Sequence, residues 1–256
     1  MCLIAIAYHS HPDYPLLVAA NRDEYYQRPT AAAHFWPDSP DLLAGKDLQA
    51  GGTWMGITKG GRFAAITNHR NPPTTPAQPR SRGLLTLDYL RGTQHPADYL
   101  EIIAKDAGSY AGFNLLLANA QGLYYYSNIE DEVQGLPAGI YSLSNASLHS
   151  GWPKQQLAME NLRGVIESGI GHPQLHATVG SQTPAADNSL PNTGLGAEME
   201  RVLSAQFISG DVYGTRATTS CWLDREGVVE WSESSYLPGG EPGGNEHFRF
   251  SLAGHE

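Results

Sequence analysis

Short apolar runs separated by turn-forming residues set the pattern of this chain. Cys2 to Tyr8 (CLIAIAY) and Leu16 to Ala20 (LLVAA) are of strand length, and the polar stretch His9 to Tyr14 between them holds Pro12 and Asp13. Two such runs around such a turn predict a β-hairpin. Trp54 to Thr58 and Phe63 to Thr67 predict a second, with Lys59-Gly60-Gly61 as the turn, since glycine takes positive φ without steric cost. Asn114 to Asn119 and Leu123 to Tyr126, around Gln121-Gly122, predict a third; Thr218 to Leu223 and Val228 to Ser232, around Asp224 to Gly227, a fourth. Ile140 to Leu143 is a single candidate strand, and His247 to Leu252 alternates as a last one.

Helical spacing falls between these hairpins. Gly83 to Arg91 and Pro96 to Ala107 carry apolar residues three and four apart. Pro153 to Ser168 opens on a proline, suited to a first helical turn, and sets Leu157, Leu162, Val165 and Ile166 near one face. Ala197 to Ile208 is a further candidate. Asn71 to Gln78 is proline-rich and reads as a loop; Ser181 to Gly196, rich in Ser, Thr, Asn, Pro and Gly, reads as an insertion or a mobile lid. Strands, then helices, then strands and helices again fit an α+β fold of antiparallel sheets with helices outside. With no internal repeat and no clear shift in composition, residues 1–256 are expected to form a single domain.

Charge narrows the partners. Twenty-six acidic residues against 16 basic give a formal net charge of -10, which excludes a general nucleic-acid binder, because that function needs a basic footprint. No apolar run approaches the roughly 18–20 residues that span a bilayer. The start of the chain has no basic region ahead of its short apolar stretch, so it does not look like a signal peptide, and a reducing cytoplasmic setting is expected. There the two cysteines, Cys2 and Cys221, are read as reactive or buried rather than paired. Apart from His9 and His11, the ten histidines do not cluster, and no GxGxxG or phosphate-loop pattern occurs, so no cofactor or metal is expected.

Cys2 carries the most chemistry. A small side chain after Met1 permits removal of the initiator residue, and the mature chain then begins with a thiol and a free α-amine on one residue. Their ordinary pKa values, about 8.5 and 7.7–8.0, let the amine accept the thiol proton near neutrality. That is a nucleophile with its own base. Taken alone, Cys2 reads as a small hydrophobe at a strand start.

Asn21-Arg22-Asp23-Glu24 follows the second strand. Alone, four polar residues there read as a solvated strand end. A hairpin's return strand, however, ends beside the start of its partner, and so beside Cys2. Arg22 then stabilises thiolate or substrate charge, and Asp23 holds the α-amine.

CLIAIAY, LLVAANRDE, AGKD, GGTWMGI, GRFAAITNHR, RSRG, LSNASLHSGWPK and YGTRATTSCWLDREGVVEWSESSY, in that order, resemble the NRDE proteins, also called the transport and Golgi organisation family. The resemblance is strongest from Met1 to about Pro153. It implies the N-terminal nucleophile (Ntn) hydrolase-like fold, a four-layer αββα sandwich of two antiparallel sheets between helices. It is distantly similar to the choloylglycine hydrolase and penicillin V acylase group, which cleaves amides with an N-terminal cysteine flanked by an Arg and an Asp. Arg22 and Asp23 are the candidates, although they are adjacent where the acylases space theirs apart. The resemblance also assigns Asn68 and Asn145 as oxyanion-side amides and Arg216 as a late arginine near the cysteine. Without it, Asn68 and Asn145 read as turn or cap residues and Arg216 as a surface ion-pair partner. Trp54, His69 and Arg70 are candidate pocket residues, and Cys221, inside a β-like run, is expected in the core.

The expected function is hydrolysis of a non-peptide C–N amide of a small acyl substrate. The alternative is a non-catalytic protein that binds or carries lipid, acyl-CoA or haem on the same fold, a link that comes with the family alone.

Overall fold

The structure is a computed structural model that describes residues 2–70 and 73–254. Asn71 and Pro72, at the head of the expected proline-rich loop, lie outside the described residues. In chain order the strands are β1 (Cys2–Tyr8), β2 (Leu16–Tyr25), β3 (Thr30–Trp36), β4 (Ser39–Asp47), β5 (Met55–Thr58), β6 (Phe63–Asn68), β7 (Phe113–Asn119), β8 (Gly122–Ser127), β9 (Glu132–Leu136), β10 (Gly139–Leu143), β11 (Tyr213–Leu223), β12 (Val228–Tyr236) and β13 (Pro242–Ser251). The helices are α1 (Gly83–Arg91), α2 (Pro96–Lys105), α3 (Pro153–Ser168), α4 (His172–Thr178) and α5 (Ala197–Ser204). The expected α+β class, two antiparallel sheets accompanied by helices, is what the described residues form.

The chain groups into two compact units, Met1–Gln27 with Ala138–Arg249, and Arg28–Pro137 with Phe250–Glu256. In the first unit the sheet order is β10-β1-β2-β11-β12-β13. Alternation sends Leu3, Ala5 and Ala7 of β1 and Leu17 and Ala19 of β2 to one face, where they meet Ala158 and Leu162 of α3, Leu175 of α4 and Val179. Small residues on the strands let the helices approach closely, and all nine side chains are sealed from water.

In the second unit the sheet runs β3-β4-β5-β6-β7-β8-β9, each strand beside its chain neighbour. Leu85, Leu87, Tyr89 and Leu90 of α1 and Tyr99 and Leu100 of α2 pack with Trp36, Leu115, Leu117 and Tyr126 of the sheet. The GG before Trp54 has a steric cause. A Cβ on Gly52 would stand 2.4 Å from the carbonyl carbon of Gly83, where the backbone crosses the start of α1 and the Thr53 N–H donates to the Gly83 carbonyl at 3.1 Å.

The four expected hairpins are present, as are the strand at Ile140 to Leu143 and the final strand. Several readings need correction. β2 does not end at Ala20 but runs on to Tyr25, because β11 begins at Tyr213, five residues earlier than expected, and pairs along its whole length. The helix expected to Ile208 stops at Ser204, where Ala205 turns extended. β3, β4, β9 and α4 were not anticipated. β3 and β9 are sheet edges with weak alternation, β4 contains Pro40, Asp41 and Gly45, and α4 is only seven residues long.

Candidate functional site around Cys2

The β1–β2 register places Cys2 directly opposite Arg22. Opposed residues of an antiparallel pair hold their Cβ atoms roughly 4.5–5.5 Å apart on one face of the sheet. On the other side of β1, Ile4 faces Leu143 of β10, and the same count carried two residues further sets Asn145 level with Cys2. The Ser144 hydroxyl fixes that alignment by donating to the Cys2 carbonyl at 3.0 Å and standing 3.3 Å from the Asn145 side-chain oxygen. The register therefore sets Cys2 between Arg22 and Asn145, three residues from three segments of one unit. Beyond β2, Ala217 faces Arg22 and Thr215 faces Asp23, and the register slips between them at Arg216.

The solvated-strand-end reading of Asn21 to Asp23 is wrong. These residues are 1 %, 6 % and 1 % exposed. Asn21 satisfies both ends of its amide: it donates to the carbonyls of Val179 at 2.7 Å and Gln206 at 2.8 Å, and accepts from the Thr218 hydroxyl at 2.7 Å. Asp23 accepts from the Thr215 hydroxyl at 2.8 Å, and that same hydroxyl accepts the Ile208 N–H at 2.9 Å. Three polar residues buried at this depth must find partners, because an unpaired buried polar group costs about 1–3 kcal/mol. The partners of Asn21 and Asp23 come from residues 179 to 218, far from them in sequence.

Electrostatics differ at the two ends of the sheet. Burial pushes the Cys2 thiol up; the Asp23 charge adds to the rise, while the amino terminus, Arg22 and a hydrogen bond from the Asp23 backbone N–H pull against it. Cys2 is nonetheless part-exposed. Burial also raises the Asp23 carboxyl, opposed by the amino terminus, Lys154, Thr215 and Arg22. Cys221 is wholly buried between Val18 and Trp231, and burial alone lifts its thiol far above the usual range, as a core position requires.

The Arg216 guanidinium donates to the Tyr25 carbonyl at 3.0 Å and lies 5.6 Å from the Tyr26 ring centre. Tyr25 ends β2, beyond Arg22, and Tyr26 follows it. Asn68, Trp54, His69 and Arg70 belong to the second unit. Asn68 closes β6 opposite Phe113. The Trp54 ring packs with that unit's core and fills the space over Gly45, where a Cβ would stand 2.3 Å from it. His69 accepts no strand partner but donates its backbone N–H to Gly112; burial lowers its imidazole, and its Nδ1 is 3.1 Å from the Arg70 carbonyl. Arg70 is buried rather than facing water.

Two residues escaped the sequence reading. Ser144 could have been found as a hydroxyl directly after an apolar strand that ends beside β1. Lys154, 3 % exposed, stands in the first turn of α3, where a helix dipole disfavours a cation. That mismatch was a legible signal.

Among the described residues no helix is long and apolar enough to cross a membrane. The fold is similar to solved structures of two variants of conjugated bile acid hydrolase from Clostridium perfringens. They match at TM-scores of 0.53 and 0.51, with 8% and 9% sequence identity, covering 98% of this chain and 92% of each. The likeness is one of fold, that of the Ntn hydrolases. Curated relatives include Transport and Golgi organization protein 2 homologs of Bos taurus (32% identical; 100% of this chain, 98% of the relative) and Homo sapiens (31%; 93% and 94%). The family model described as Transport and Golgi organisation 2 matches residues 1–238, and the chain belongs to that family.

Proposed function

We propose that the chain is an N-terminal cysteine amidohydrolase that cleaves a non-peptide C–N bond in a small acyl amide. The observation that carries this reading is the meeting of Cys2, Arg22 and Asn145 on three adjacent strands or strand ends. The raised thiol suits the mechanism. A buried thiol that stays protonated needs a base, and removal of Met1 supplies one in the Cys2 α-amine. As sulfur attacks the carbonyl carbon, the amine takes the thiol proton. The Asn145 amide donates to the developing oxyanion, a contribution of about 2.7–4 kcal/mol per donor in comparable sites. Collapse breaks the C–N bond, the ammonium returns its proton to the departing amine, and an acyl-thioester remains for water to hydrolyse. Asp23 lies one residue beyond Arg22 on β2, on the side of Cys2 where its α-nitrogen lies, and is suited to hold the ammonium.

The test is intact-mass spectrometry followed by an acyl-amide library. A chain lacking Met1, with turnover abolished in Cys2→Ala, is the expected result. Retention of Met1, or equal turnover by Cys2→Ala, overturns the reading. Saturable ligand binding without turnover would favour the carrier alternative for lipid, acyl-CoA or haem.

A further inference from the structure

Lys154 is the least expected charge in the first unit. Its ammonium is buried, and it sits at the second position of α3, at the positive end of the helix dipole. Both features are unfavourable, so anions or carbonyls must offset them. One offset is direct: Nζ donates to the Leu203 carbonyl at 3.0 Å, in the last turn of α5, the negative end of that helix. The segment that follows leads to Asp23. Gln206 donates its side chain to the Lys154 carbonyl at 3.2 Å and accepts from Asn21 through its backbone carbonyl. Ile208 donates to the Thr215 hydroxyl, which in turn donates to Asp23. Residues 203–208 thus touch Lys154 at one end and the Asp23 hydrogen-bond chain at the other.

We infer that Lys154 is a positioning residue: a buried ammonium that balances the Asp23 carboxylate through space from the helix side of the sheet, so that Asp23 can hold the α-amine of Cys2. The role deepens the proposed hydrolase reading and rests on it. Among the described residues, β2 contributes Arg22, β1 the Cys2 thiol, α3 Lys154, and β11 the neutral Thr215 hydroxyl; the amino-terminal charge also acts on Asp23. Burial works to neutralise Asp23, and Lys154 opposes it ahead of Arg22. α5 carries another buried carboxylate, Glu200, which the test treats as the alternative partner for Lys154; its Oε1 already accepts from the Thr193 N–H at 2.7 Å and the Thr193 hydroxyl. A neutral Asp23 could not pair with an ammonium, so the charge on Lys154 would reach the nucleophile through two intermediaries.

The experiment follows the Asp23 carboxyl carbon by NMR in aspartate-labelled full chain, the resonance being assigned by its loss in Asp23→Asn. Lys154→Met should move the titration midpoint up by about one pH unit or more, and Lys154→Arg should keep most of the wild-type value. Glu200→Gln should leave it in place. An unmoved midpoint in Lys154→Met overturns the inference. So does a urea double-mutant cycle in which Lys154→Met couples to Glu200→Gln and not to Asp23→Asn; the cycle also serves if Lys154→Met folds too weakly for a full titration. Turnover lost only in Cys2→Ala, together with an unmoved midpoint, sinks the role of Lys154 and leaves the hydrolase reading intact. A moved midpoint with no turnover in wild type sinks the hydrolase reading and leaves only the charge balance between Lys154 and Asp23.

Discussion

The sheet of the first unit treats its two cysteines in opposite ways. Cys2 and Cys221 point to the same face, since Cys2 opposes Arg22 while Cys221 opposes Val18 of the same strand four residues earlier. Burial raises both thiols. At the Cys221 end nothing answers it: Val18 and Trp231 flank the sulfur. At the Cys2 end a guanidinium, a backbone N–H, a carboxylate and a hydroxyl gather within one or two residues of the same register. Desolvation alone makes an inert core thiol; desolvation among fixed charges and dipoles makes one whose proton can be controlled. Depth is therefore a poor guide to reactivity on this sheet, and the company of the sulfur is a good one.

Alkylation gives the largest test of that contrast. In native protein exposed to iodoacetamide, Cys2 should be modified roughly a thousandfold faster than Cys221, which reacts only through the small unfolded fraction. Peptide mass spectrometry reads both sites at once, and comparable rates would erase the distinction. A smaller effect tests the polar end itself. Asn21→Ala strands two carbonyls and a hydroxyl and should cost about 3 kcal/mol in urea unfolding, with little change if water can replace the amide.

The smallest effect concerns the other end, on its opposite face. His172 Nδ1 stands 2.7 Å from the Ser220 hydroxyl, and its ring lies 4.2 Å from that of Trp222. Burial, then the neighbouring His247 and His176, lower its imidazole to about 4 from the ordinary 6.5. The folded chain thus resists a proton that the unfolded chain accepts. The stability from a neutral His172 is present above pH 6.5 and is lost as pH falls from there through about 4. Urea midpoints measured across that window should decline less steeply in His172→Gln than in wild type; parallel curves would assign the acid sensitivity elsewhere.

Much of this arrangement was legible in the residues. Strand-length apolar runs with Gly- or Asp-containing turns located the hairpins, because local alternation and turn chemistry act over a few residues. The proximity of NRDE to Cys2 followed from hairpin geometry alone. What the residues concealed was the burial of Asn21, Arg22 and Asp23. It depends on partners at Val179, Gln206, Thr215 and Thr218, more than 150 positions away, and no local pattern encodes such a meeting. The edge strands β3 and β9 were missed for a related reason: they are held by a neighbour on one side and need little hydrophobic alternation of their own. Lys154 was visible as a cation in the wrong end of a helix, but only the fold shows which segment receives it.

The interior position of β1 constrains how such a centre can come into being. β1 lies between β2, its immediate follower, and β10, some 140 residues later, while β2 pairs in turn with β11 beyond residue 212. Cys2 therefore meets the Ser144 hydroxyl and β2 meets β11 only through pairings of wide sequence separation. Pairings of such wide separation form slowly. The surroundings of Cys2 are thus completed late in folding, by topology, once the segments around Ser144 and β11 are in place.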